Sequence, residues 1–171
     1  MPRAILLLPV FFLTLCTPLH SQRNTPIEVE VQDMEATPLG VNITLRTVGT
    51  QRQIRMAIGF TEAQAISQAL RHRDAPRPMT HDLLKMVLER NGWRVQKVLI
   101  REYSMGTFLA DLTLEKNGET QVYDVRPSDA MAIGLRFDAK IYVNPEVLRQ
   151  QEEQEQEERE INPTEPKTRT L

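Results

Sequence analysis

Apolar and polar residues alternate along two long stretches of the chain. Residues 27–58 contain three alternating runs, separated by turn signals at 37–40 and 49–50. Residues 94–125 repeat the arrangement, with turn signals at 104–107 and an Asn-Gly pair at 117–118. A period of two residues is typical of half-buried strands, and tight turns join neighbouring strands in antiparallel order. The pattern therefore predicts two antiparallel meanders of three strands each.

Apolar residues recur at helical spacing between and after these meanders. Helices are predicted at about residues 61–71, 81–91 and 129–136, with an Asn-Gly stop after the second. The third is apolar nearly all round, which indicates a buried helix, and Gly134 would allow close backbone approach. A short strand at 141–143 and a helix opened by Asn144 and Pro145 follow. The fold class is therefore α+β, a mostly antiparallel sheet of two meanders packed with three to four helices in one domain.

Hydroxyl residues are expected to cap these helices. Thr80 and Ser128 each follow an Arg-Pro pair closely, and Thr61 forms a T-x-x-Q capping box with Gln64. The side-chain oxygen of such a residue accepts a hydrogen bond from a free backbone N–H of the first turn. The sequence predicts that the three helices begin at these hydroxyl residues.

Composition indicates the type of core and divides the chain into segments. The chain has 171 residues, 40% of them apolar and 5% aromatic, and a net charge of -2. The core is therefore mostly aliphatic, and the overall charge balance does not suggest nucleic-acid binding. Residues 1–22 read as a signal peptide, 23–149 as the folded domain, and 150–171 as an acidic, Gln-rich helical extension with a disordered tail.

Export is the expectation that follows from the first segment. Arg3 precedes an apolar run over 5–15 that is too short for a comfortable membrane span, so no transmembrane segment is expected in the mature protein. A periplasmic or secreted location is predicted. Lipid anchoring at Cys16 is disfavoured, because Leu15 is large for the position before a lipidated cysteine. Cleavage beyond this single cysteine leaves no disulfide, which suits a bacterial envelope compartment.

The helix starts are also the places where chemistry is expected. Helix N-termini favour anions, so Arg77, Arg126 and Ser128 are candidate phosphate-binding residues. Asp124 and Asp129 crowd one strand-to-helix junction and are candidate ligands of a divalent cation such as Mg²⁺. Plain capping and ion pairing explain the same residues equally well.

Three residues are candidates for catalysis itself. His81, Asp82 and Asp129 lie in the first turns of two predicted helices, and His81 is the candidate general base. A histidine near a helix start is more often incidental. Glu62 is a third first-turn acid, which is expected only to complement its helix dipole.

The chain resembles the bifunctional nuclease (BFN) domain family over about residues 27–148. The resemblance rests on VQDMEATPLG (31–40), IGFTEAQAI (58–66), RPMTHDLLKMVLERNG (77–92), GTFLADLTL (106–114) and YDVRPSDAMAIGLR (123–136). Together these motifs are specific, whereas each alone is weak. Phe60 and Thr61 depart from the family pattern, which more often has Gly-Glu there. The resemblance implies an α+β domain and a nuclease that acts on RNA and DNA.

Two function classes stay open from the sequence. One is a nuclease, with nucleic acid as substrate and a divalent cation as cofactor. The other is a non-catalytic module of the bacterial envelope that binds a small anion or a protein. The sequence lacks a dense carboxylate cluster and a broad basic surface, which keeps the second class open. A homo-oligomer is compatible with either class.

Overall fold

The computed structural model describes residues 25–73 and 75–161, and these form one seven-stranded mixed sheet with four helices. The strands are β1 (Ile27–Thr37), β2 (Gly40–Thr47), β3 (Gln53–Ile58), β4 (Arg94–Ser104), β5 (Thr107–Lys116), β6 (Glu119–Val125) and β7 (Lys140–Val143). The helices are α1 (Phe60–Leu70), α2 (Thr80–Arg90), α3 (Pro127–Gly134) and α4 (Pro145–Ile161). A 3₁₀ turn, Leu135–Phe137, follows α3. The predicted α+β class is confirmed.

Strand β7 joins the two predicted meanders into one sheet. The order is β3-β2-β1-β7-β4-β5-β6, and β7 pairs antiparallel with β1 but parallel with β4. The other pairings are antiparallel. Strands β3 and β4, separated by three strands in this order, both pack against α4, so the sheet curls.

Two of the predicted hairpins close through two-residue turns with left-handed backbone. Met105 and Gly106 have φ of 50° and 77°, and Asn117 and Gly118 have 51° and 83°. Positive φ at both central residues is the requirement of a type I′ turn, whose twist matches that of paired strands. The Asn-Gly pair therefore predicts its hairpin correctly. Met105 has the same left-handed backbone as Asn117, although methionine is not a residue type that indicates positive φ.

The predicted capping residues are wrong by one or two positions. Helix α1 has Gly59 as its N-cap, α2 has Met79 and α3 has Arg126, so Thr61, Thr80 and Ser128 lie inside their helices. Pro127 explains the third case, because its fixed φ favours the first helical position and places the N-cap one residue earlier. Ser128 is buried in the first turn instead of capping it.

One apolar core connects both meanders with the helices. Ile43, Leu45 and Ile54 from the first meander and Val98 and Ile100 from the second are fully buried in the same cluster. Helix α3 lies among them with Ala130, Met131, Ala132 and Ile133 all buried, as its sequence predicts. Mutual burial of this kind is the main term that holds α3 against β4, β5 and β7.

Helix α4, which contains the first part of the acidic extension, packs against β3 of the first meander and β4 of the second. Val147 and Leu148 are fully buried, and Glu152 forms a two-bonded ion pair with Arg52 at 2.7 and 3.0 Å. None of the helices in the described part of the chain is long and apolar enough to cross a membrane. The predicted signal peptide and disordered tail lie outside the described residues.

Candidate functional site

Three helices begin with an acid at their third position. Glu62, Asp82 and Asp129 occupy this place in α1, α2 and α3. An acid there faces the free N–H groups and the partial positive charge of the helix start. Asp82 uses this chemistry directly, because its Oδ2 accepts a hydrogen bond from the Met79 N–H at 2.9 Å. Three negative groups are therefore presented by three helix ends.

Arg126 connects two of these acids. Its Nη2 donates to Glu62 Oε1 and to Asp129 Oδ1, each at 3.1 Å, and its Nε donates to Asp129 Oδ2 at 2.7 Å. The Asp129 hydrogen bonds and charge, followed by the charge of Glu62, raise the pKa of the Arg126 guanidinium above its ordinary value. The helix starts of α1 and α3 thus meet at one guanidinium.

His81 brings the start of α2 to the same place. Its Nε2 lies 3.6 Å from Asp129 Oδ1, and its side chain is only 12% exposed. The structure therefore places the starts of α2 and α3 on one face of the domain. We call Glu62, His81, Arg126 and Asp129 the four-residue cluster.

Asp82 is turned away from this cluster toward a buried arginine. Arg136, 7% exposed, donates to Asp82 Oδ1 at 2.7 Å and also to the carbonyl oxygens of Ala65 and Ala132. Burial alone would raise the pKa of Asp82, but the Arg136 and Met79 hydrogen bonds and the charges of Arg136 and His81 lower it below its ordinary value. Arg136 thereby ties α1, α2 and α3 together beside the cluster.

The remaining predicted residues lie outside the cluster. Asp124 is exposed and accepts a hydrogen bond from Arg101 at 2.8 Å, and Arg101 also binds Asp111. Ser128 is buried in the first turn of α3. Arg77 is exposed in the loop before α2, without an ion pair to another described residue. Their predicted roles in metal and phosphate binding stay predictions.

Glu62 lies in the cluster and Arg136 lies beside it, although neither was predicted as a site residue. Glu62 was visible as a first-turn acid, and only the fold reveals that α1 begins beside α3. Arg136 stands at the end of an apolar helix, where its basic side chain could be read as an ordinary C-terminal charge. Nothing in its local pattern indicates that it reaches the middle of α1 and the start of α2.

The cluster offers carboxylate oxygens as possible metal ligands, an imidazole that can transfer a proton and a guanidinium that can contact an anion. Within residues 25–73 and 75–161, no three His, Cys, Asp or Glu side chains are grouped closely enough to hold a metal alone. Two carboxylate oxygens do lie around the same cationic nitrogen of Arg126. The site is thus a junction of helix ends that combines one imidazole, one exposed guanidinium and two carboxylates.

The fold and the site together define the class of this protein. It is an α+β domain in which three helix starts converge on one polar cluster. The family model described as the bifunctional nuclease domain matches residues 43–156, which is more than half of the chain. The chain belongs to the bifunctional nuclease domain family. All four members of the cluster fall within the matched range.

Similar proteins from bacteria and plants share parts of this range. An uncharacterized protein of Mycobacterium tuberculosis is 37% identical over 108 residues, which cover 63% of this chain and 64% of that protein. Bifunctional nuclease 1 of Oryza sativa subsp. japonica is 32% identical over 99 residues, 56% of this chain and 30% of the rice protein. The chain thus spans less than two thirds of the length of either relative.

Proposed function

We propose that the protein is a nuclease that hydrolyses phosphodiester bonds of RNA or DNA at the four-residue cluster. The observation that carries this proposal is the meeting of His81, Asp129, Arg126 and Glu62 from three different helix starts. Membership of the bifunctional nuclease domain family supports the reaction class. The rice relatives named bifunctional nucleases support it as well.

The residues present can perform the steps of phosphodiester hydrolysis. The His81 imidazole takes a proton from the water that attacks phosphorus, and the Asp129 carboxylate 3.6 Å away stabilises the imidazolium that results. The P–O bond to the leaving oxygen breaks, and that oxygen takes a proton from solvent. Arg126 is 69% exposed, so its guanidinium can turn toward a substrate phosphate and neutralise the charge that develops there. Arg77, from the neighbouring loop, can supply a second phosphate contact.

A divalent cation fits this site in its donor chemistry. Mg²⁺ in proteins is commonly held by one or two carboxylates, with water and substrate phosphates filling the other positions. Glu62 and Asp129 are the residues that would hold it, since their oxygens already surround a cationic nitrogen of Arg126. The ion would act as a Lewis acid on the phosphate. Asp124 stays a further candidate ligand.

Simple anion or protein binding is the second candidate function, and the geometry supports it less well. Glu62 and Asp129 already accept the hydrogen bonds of Arg126, and their charges would repel an anion that binds without a divalent cation beside it. The N–H group of Met79 likewise already donates a hydrogen bond to Asp82. A site arranged only for anions would leave these donors open.

Cleavage of labelled single-stranded RNA and DNA by the purified protein, with Mg²⁺ or with EDTA, tests the proposal. We expect cleavage with Mg²⁺, loss of cleavage in EDTA, and loss in Asp129→Asn. His81→Ala should lower the turnover rate by about 10² or more if the imidazole is the general base. Melting temperatures measured in parallel report whether each variant is folded.

Glu35→Gln is the matched control, because Glu35 is an exposed carboxylate of β1 that lies outside the cluster. Its turnover should equal that of the unmodified protein. Asp124→Asn should lower turnover only if Asp124 is a ligand, and should otherwise behave like the control. Unchanged turnover per folded molecule in both His81→Ala and Asp129→Asn would refute the proposed site.

A further inference from the structure

A groove of about 540 Å³ runs along α1. It is lined by Gln64, Ser67, Gln68, Arg71, Arg73, Ala75, Pro76 and Met79. The groove lies between α1 and the loop that leads into α2, whose N-cap is Met79. A second hollow of about 240 Å³ continues past Ser67 and Arg71 toward β1. The groove and this hollow together follow α1 from the loop before α2 to β1.

The helical side of the groove is a polar stripe. Gln64, Ser67, Gln68 and Arg71 are spaced i, i+3, i+4 and i+7, so they lie on one face of α1. Ala63, Ala65 and Ile66 are the buried residues of this helix. The stripe thus offers amide, hydroxyl and guanidinium groups to whatever occupies the groove, while the apolar residues bind the helix to the core.

The arginines at the far end of the stripe have a fixed backbone. His72 adopts φ of 47°, its N–H bonds to the Ala69 carbonyl oxygen, and the Arg73 N–H bonds to the Gln68 carbonyl oxygen. This pair of bonds is a Schellman motif, which ends a helix in a defined direction. The side chains of Arg71 and Arg73 are exposed and form no ion pair with another described residue. They are therefore available to an anionic ligand.

An exposed aromatic ring stands at the opposite end. Phe60 is the first residue of α1, is 56% exposed, and precedes Gln64 by four residues, so it continues the same stripe. Sequence-tolerant binding of single strands combines a basic groove along the phosphates with aromatic side chains on which bases stack. Guanidinium planes can serve as stacking surfaces too.

We propose that this groove holds a single strand of nucleic acid, with a base stacked on Phe60 and the phosphates on Arg71 and Arg73. The inference rests on the proposed nuclease function and adds to it the form of the substrate. A base must be unpaired and exposed to stack on Phe60, and a single strand offers such bases whereas a duplex keeps them paired inside its helix. The single strand is thus the occupant that fits.

Fluorescence anisotropy with oligomers of about 12 nucleotides measures the binding, a length within the usual site sizes for single strands. Oligo-dT and oligo-rU are compared with a duplex, and every variant carries His81→Ala so that the strand stays intact. Arg71→Ala with Arg73→Ala should weaken binding about tenfold. It should also lower the slope of log K against log salt by about 1.4, from two lost phosphate contacts.

Phe60→Ala should weaken binding about tenfold as well, but with an unchanged salt slope, because stacking releases no counterions. Arg90→Ala with Arg94→Ala is the charge-matched control, since both arginines are exposed and lie outside the groove. It should change affinity less than twofold. The stronger of the two single strands identifies RNA or DNA as the preferred ligand.

The outcomes separate this inference from the proposed function. Equal losses in the groove and control variants, or a duplex that binds as tightly as the single strands, would overturn the groove inference even if the protein cleaves nucleic acid. Groove-dependent binding by a protein that shows no cleavage with Mg²⁺ would support the inference and refute the nuclease proposal.

Discussion

At the scale of single residues, the same type of position serves two different purposes. Asp82 bonds to the N-cap amide and to a buried arginine, which is a structural role. Asp129 and Glu62 instead bond to the exposed guanidinium of Arg126 and leave it accessible to solvent. Three acids at equivalent helical positions therefore divide into one that holds the helices together and two that form the site.

Replacement of Asp82 tests its structural role. Asp82→Asn removes the charge opposite Arg136, which is 7% exposed, and should lower the free energy of unfolding by about 2 kcal/mol at neutral pH. Because the folded pKa of Asp82 lies below its ordinary value of 3.8, its stabilising effect is present above that pH and is lost as the pH falls below it.

Melting temperatures from neutral to acidic pH check this prediction. The difference between the unmodified protein and Asp82→Asn should be largest above pH 3.8 and should close as the pH falls through the lowered pKa. Glu35→Gln, an exposed control, should follow the unmodified protein throughout. A difference that stays constant across the range would show that the carboxylate charge is not the stabilising feature.

At the scale of elements, the helices could be predicted more reliably than their first residues. Periodicity located α1, α2 and α3 correctly, since the spacing of apolar residues records which face is buried. The N-caps were misplaced because a hydroxyl residue in the first turn resembles one at the cap. In α3 the backbone preference of Pro127 decides the boundary instead of the chemistry of Ser128.

Gly134 at the end of α3 is the element-scale test of close packing. A Cβ added there would lie 2.6 Å from Cγ2 of Val98, a contact that forces α3 or β4 to move. Gly134→Ala should therefore cost about 1–3 kcal/mol of unfolding free energy, although alanine is intrinsically the better helix former. Urea denaturation measures this cost.

The double variant with Val98→Ala identifies the cause. Removal of the Val98 methyl groups opens the space that the new Cβ needs, so Gly134→Ala should be nearly neutral or stabilising in that background. If the cost of Gly134→Ala is the same with and without Val98→Ala, the close approach of α3 to β4 is not its origin.

At the scale of the whole molecule, one short strand, β7, joins the two meanders into a single sheet. The sequence predicts the meanders because hairpins are local, and it predicts β7 because Ile141, Tyr142 and Val143 form an apolar run. The placement of β7 between β1 and β4, antiparallel to one and parallel to the other, depends on pairings between distant residues that no local pattern records. The contact of Glu62 with Arg126 is unpredictable for the same reason, since 64 positions separate the two residues, whereas His81, Arg126 and Asp129 were site candidates from the sequence.

A single sheet and a single core should make the domain unfold in one cooperative step. Ile43 of β2 and Ile100 of β4 are both fully buried in that core, one in each meander. Ile43→Ala and Ile100→Ala should each lower the unfolding free energy by about 2–5 kcal/mol. Because the meanders share their core, each substitution should destabilise both of them together.

Two spectroscopic signals in urea distinguish one transition from two. Trp93 is the single tryptophan, packs at the edge of the core just before β4, and reports on the second meander by fluorescence, whereas far-ultraviolet circular dichroism reports on all elements. For Ile43→Ala the two curves should superimpose and shift together, although the substitution lies in the other meander. Leu39→Ala, at a 97% exposed position, should leave both curves unchanged. A dichroism curve that shifts while the Trp93 fluorescence curve stays in place would mean that the meanders unfold separately and that β7 does not couple them.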